Sequence, residues 1–130
     1  MTPGDGLLLV PFCRHTQFMS LILDAEYVFF WNLFSNSVVA RAVNRLPMFF
    51  FDRGHMARYC PGLFERYMTC YFTAGCPPCL PMDEPLDAEQ LPRRAAEQAD
   101  AMNALADNLL KSPAPAEVVR RLLQRLEQPT

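Results

Sequence analysis

Apolar positions along this chain come in two textures. The first third holds short continuous runs at residues 7–12 (LLLVPF), 27–31 (YVFFW) and 48–51 (MFFF). Each has strand length, is rich in aliphatic or aromatic side chains and lies beside turn residues; Gly4, Gly6 and Pro11 bracket the first. Strands buried on both faces read this way, so the pattern predicts parallel strands at about 7–12, 27–32 and 48–52. Between them the spacing is helical. Residues 16–23 (TQFMSLIL) put Phe18, Leu21 and Ile22 on one side behind Thr16 as N-cap, and residues 38–45 form a second helical phrase. The order β, α, β, α, β implies right-handed crossovers and an α/β fold: a partial Rossmann-like three-layer domain with a short parallel sheet of about three strands and C-terminal helices.

Beyond His55 the texture changes. Tyr59, Leu63, Tyr67, Met68 and Phe72 stand among charges, and Pro61 suits the first turn of a helix running from about Gly62. Residues 74–85 (AGCPPCLPMDEP) hold four prolines, Pro77, Pro78, Pro81 and Pro85, and predict a Pro-rich loop over 74–91. From Pro92 the apolar positions Ala95, Ala99, Met102, Ala106 and Leu109 recur at intervals of 4, 3, 4 and 3, one face of a packed helix. The sequence Ser112-Pro-Ala-Pro interrupts it, and Val118, Val119, Leu122, Leu123 and Leu126 form the apolar side of a last helix. Residues 92–127 thus read as a helical segment of a single domain over 1–130, without internal repeats.

Composition narrows the function classes. A chain of 130 residues that is 51% hydrophobic can build a real core. Twelve basic against fourteen acidic residues give a net charge of −2, so no broad basic footprint for nucleic acid exists and any phosphate recognition must be local. No segment reaches about 18 uninterrupted apolar residues; the richest is broken by Asn32, which argues against a transmembrane segment while leaving peripheral membrane contact compatible. Asp5 stands where a secretory signal would carry cations, and five cysteines, an odd number, argue for a reducing, cytoplasmic setting.

The polar residues at the ends of the second and third apolar runs carry the candidate chemistry. Ser35, Asn36 and Ser37 lie between a strand and a helix, where the carboxyl edge of an open α/β sheet binds ligands. The first amides of that helix lack internal partners and its dipole is positive there, so a phosphate or diphosphate could be held without a basic cluster. The alternative is that Ser35 or Ser37 is an ordinary N-cap. Asp52, Arg53, Gly54 and His55 end the next strand: an ion pair, a residue that permits close backbone approach and a titratable imidazole. Here the alternative is a turn in which the aspartate caps the next segment of chain.

Taken together, SNSVVARAVNRLPMFFFDRGH (residues 35–55) and KSPAPAEVVRRLL (residues 111–123) resemble the carboxyl-terminal, donor-binding half of bacterial glycosyltransferases of the two-Rossmann-domain (GT-B) type. The resemblance covers about residues 21–72 and the last helix. It implies nucleotide-sugar binding, with Ser35, Asn36 and Ser37 at the diphosphate and Asp52, Arg53, Gly54 and His55 lining the donor cleft. It also implies a second Rossmann domain for the acceptor, which 130 residues cannot hold, so that either a partner chain supplies that half or the chain is a fragment or degenerate copy.

A rival constellation is built on cysteine. Cys76 and Cys79 have the spacing of a metal knuckle, and Cys60 or Cys70 with His55 could complete a zinc site. A single C-x-x-C lacks the second ligand pair of most structural sites, so reduced loop cysteines and no cofactor are the expectation. Two functions stay open. One is a nucleotide-sugar-binding half of a glycosyltransferase; the other is a small non-enzymatic interaction module, zinc-stabilised or not, whose C-terminal helices dock on a partner.

Overall fold

Two adjacent strands form the centre of the computed structural model, which describes residues 6, 8–111 and 115–128. Strand β1 (Val28–Phe30) pairs in parallel with β2 (Met48–Phe50), Phe29 opposite Phe49 and Phe30 opposite Phe50. Helix α1 (His15–Asp24) precedes them and α2 (Asn36–Val43) makes the crossover. Then come α3 (His55–Tyr59), α4 (Pro61–Tyr71) with Pro61 in its first turn, α5 (Leu91–Glu97), α6 (Ala99–Leu110) and α7 (Pro115–Glu127). The chain is therefore a mainly helical α/β protein. Among the described residues no helix is long and apolar enough to cross a membrane.

The two sheet faces differ in what covers them. On one, Phe30, Met48 and Phe50 pack with Leu33 and with Val38 and Ala42 of α2, Phe64 of α4 and Leu105 of α6. On the other, aromatic rings meet across the strands: Phe29 stacks with Phe49 and with Phe51 at 5.5 Å between centroids, and Trp31 lies tilted against Phe51 at 5.1 Å. Leu80, Leu91 and Ala95 close over this ladder, and each ring pair adds an offset-stacking contribution to its burial.

The charged residue at the centre is Arg41, whose side chain is wholly buried. Its Nη1 donates to the carbonyls of Ile22 (3.0 Å) and Ala25 (2.6 Å), and its Nη2 donates to those of Glu26 (3.1 Å) and Pro47. A planar fork can serve four acceptors at once, and the carbonyl end of α1 offers the negative pole that a cation needs. One guanidinium thus ties α1, α2 and the entry to β2 together. Burial lowers its pKa, yet arginine starts far enough above neutrality to keep its charge.

Four expectations need correction. The strand expected at 7–12 does not form: residues 8–12 have no regular secondary structure, with Leu8 and Leu9 exposed, and Leu7 lies outside the described residues. An apolar run of strand length cannot report whether a sheet edge is open to it. Here the free edge of β2 is taken by the Pro-rich segment, where Cys79 bridges Phe50 in parallel and the Leu80 amide donates to the Phe50 carbonyl at 2.7 Å. The expected loop therefore supplies the third extended segment.

The first helix begins at His15 with Arg14 as N-cap rather than Thr16, and α2 starts at Asn36 with Ser35 as its cap, two residues ahead of the expected Val38. The helix expected from Pro92 is divided at Gln98, whose buried side chain donates to the Met48 carbonyl at 2.5 Å. Continuing one straight helix would carry that amide away from the strand.

Candidate functional site

The carboxyl ends of β1 and β2 bring together most of the polar residues singled out in the sequence. Ser35 has extended backbone, and its Oγ accepts the Val38 amide at 3.2 Å, the geometry of an N-cap. Ser35 and Asn36 also line an apolar groove of about 290 Å³ with Phe34, Val39, Tyr67 and Leu109. Ser37 stands half-buried in the first turn of α2.

The turn after β2 closes largely upon itself. Asp52 Oδ1 accepts the amides of Arg53 (2.6 Å) and Gly54 (3.3 Å), and Oδ2 pairs with Arg58. His55 is exposed and stacks on Tyr59 with centroids 5.9 Å apart. Arg53 is also exposed, while its carbonyl accepts the Leu33 amide at 3.3 Å, which knits the ends of the two strands together. Gly54 has φ of +93°, and a Cβ there would lie 2.3 Å from Asn32 Cβ. Beneath it, Asn32 Oδ1 is buried and has no hydrogen-bond partner among the described residues.

The two expected halves therefore share an edge but not a cleft: the groove of Ser35 and Asn36 reaches Met56 and includes none of residues 52–55. A larger cleft, about 560 Å³, opens on the opposite sheet face. Trp31, Phe51, Leu80, Met82 and Leu86 give it an apolar floor, and Glu84, Asp87 and Arg94 stand on its walls. Arg94 has no carboxylate partner among the described residues. Sequence reasoning missed this cleft. The only signal was the presence of Leu80, Met82 and Leu86, three large apolar residues inside the Pro-rich segment.

The cysteines do not converge. Cys60, Cys70 and Cys79 are exposed, Cys76 is half-buried, and among the described residues no three His, Cys, Asp or Glu side chains could hold a metal together. Burial pushes the Cys76 thiol up, outweighing the opposing pull of Arg53, so it is a protonated and weakly nucleophilic sulfur at neutral pH.

A second surface feature lies on α7. Val118, Val119, Leu122, Leu123 and Leu126 share one side of the helix and are all exposed, Leu126 at 81%. Away from that side Glu117 accepts from Arg120 at 2.7 and 2.9 Å and from Arg121 at 2.9 Å.

Compared with known proteins, the chain matches no family model, no curated protein and no solved structure. Its class therefore rests on its own architecture, a small α/β chain with a two-stranded parallel sheet.

Proposed function

We propose that this chain is a protein-interaction module that presents α7 to a partner. The observation that carries the reading is the uncovered apolar side of α7. A 13-residue helix is marginal in water by itself, and amphipathic helices draw most of their stability from packing that side against something. Five exposed aliphatic side chains in register form a contiguous patch of the kind that marks an interaction site. Replacing Leu122 and Leu126 with glutamate in the full chain tests it. The thermal unfolding of the core is expected to stay unchanged while association is lost; a fall in melting temperature of several degrees would make α7 part of its own core instead.

A second reading keeps the nucleotide-sugar donor, as the binding half of a glycosyltransferase-like protein with the acceptor domain on another chain. The observation that favours it is the placement of the α2 N-terminus at the carboxyl edge beside the Gly54 turn, where a diphosphate would meet the positive end of the helix. Titration calorimetry with uridine and guanosine diphosphate sugars tests it. Binding that survives in Ser37→Ala and is lost in Ser37→Glu supports the reading, and equal heats in all three proteins contradict it.

A further inference from the structure

Two open features of this molecule, the cleft on the aromatic face and helix α7, are complementary. The cleft on the aromatic face of the sheet is floored by Trp31, Met82 and Leu86, which are 56%, 61% and 49% exposed, large apolar side chains left open side by side. Two carboxylates, Glu84 and Asp87, stand on its walls, with Asp83 and Glu89 exposed nearby. Helix α7 has the inverse character. Val118 and Leu122 share a groove with Arg121 and Arg125, so its apolar stripe is flanked by cations one turn apart. Arg121 is engaged with Glu117, whereas Arg125 has no carboxylate partner among the described residues.

Resting on the interaction-module reading above, we infer that the partner of α7 is a second copy of this chain, with Val118, Leu122 and Leu126 seated on the Trp31–Met82–Leu86 floor and Arg125 facing Glu84. Apolar side chains then meet an apolar floor and cations meet carboxylates, the matching that sets register and rejects wrong partners. Each copy carries both the helix and the cleft, so a reciprocal exchange closes as a two-fold dimer and uses the contact twice. That doubling matters because specific interfaces bury roughly 1,600 Å² in total. Among the described residues Arg94 is the one cation on the cleft walls and has no carboxylate partner.

Sedimentation velocity of the full chain from micromolar to several hundred micromolar concentration, with Trp31 emission recorded in parallel, tests the inference. The wild type is expected to dimerise reversibly, and the sole tryptophan to shift to the blue as the dimer fills its cleft. Arg125→Glu should weaken the dimer at least about tenfold, and Glu84→Arg alone should do the same. Combining the two should restore the dimer to within about threefold of the wild type. Both positions are exposed, so the variants test the contact and not the fold. A wild type that stays monomeric throughout would overturn the second-copy assignment and leave the module reading intact. A monomer whose Trp31 emission shifts with Arg125→Glu would place α7 in its own chain's cleft and overturn both. A dimer indifferent to all three variants would overturn the register.

Discussion

Gly54 lies against Asn32 so closely that any side chain at position 54 would collide with the Cβ of residue 32, at 2.3 Å, and with its Cα, at 3.0 Å. The glycine also has φ of +93° and ψ of −177°, a combination open in practice only to glycine. Clash and strain act together on the point where the two strand ends meet. Gly54→Ala should therefore destabilise the fold by roughly 3 kcal/mol or more and move Trp31 emission, as read by urea unfolding and fluorescence. An alanine variant within about 0.5 kcal/mol of the wild type would mean that the strand ends are not held as described.

Arg41 should be the most sensitive polar position in the core. Arg41→Lys keeps the charge but loses the planar fork, and a cost of about 2 kcal/mol is expected. Arg41→Met removes the donors from four carbonyls and should cost about 4 kcal/mol. Denaturant unfolding of the pair checks the order; a methionine variant as stable as the lysine variant would show that the carbonyls are rehydrated without penalty.

Acid should loosen α7 before the rest of the chain. The hydrogen bonds from Arg120 and then Arg121 hold the Glu117 carboxyl below its ordinary range. A group whose pKa is depressed in the folded helix supports that helix above its unfolded pKa and ceases to do so as pH falls through the folded one. The helical signal of α7 should therefore decline on acidification below the usual carboxylate range. Glu117→Gln should remove that step, and NMR shifts of the α7 amides through the titration give the reading. A variant that keeps the same acid transition would assign it elsewhere.

Thiol reactivity should separate the cysteines. Cys60, Cys70 and Cys79 are exposed, while Cys76 is half-buried with a raised pKa. At neutral pH a maleimide should modify Cys76 last, and peptide mass mapping through a labelling time course would show the order. Labelling of Cys76 first would contradict its described setting.

Much of the local structure was legible in the chain, for identifiable reasons. Pro61 can occupy only a few helical positions and marked the start of α4; Ser35 and Asp52 each had a capping or turn alternative, and the structure shows both alternatives in use. The runs YVFFW and MFFF became the two paired strands, with aromatic rings meeting across them on one sheet face and the aliphatic core covering the other. Three things could not be read. The run at 7–12 has the composition of a strand, but the third extended place in the sheet, beside β2, went to the Pro-rich segment at Leu80. The kink at Gln98 depends on a carbonyl 50 residues away in sequence. The separation of the Ser35 and Asn36 groove from the Asp52 turn depends on which distant side chains, Tyr67, Leu105 and Leu109 among them, wall that groove, and no local motif records that.

The central claim is that α7 is presented to a partner rather than packed on its own chain, and hydrogen exchange of the α7 amides measured across protein concentration tests it most directly. In dilute solution these amides should exchange at nearly the rate of an open chain, because an isolated helix of 13 residues is marginal. Protection should grow with concentration and disappear in the Leu122→Glu, Leu126→Glu variant. Protection of α7 that is the same at every concentration, or that persists in the variant, would contradict the account.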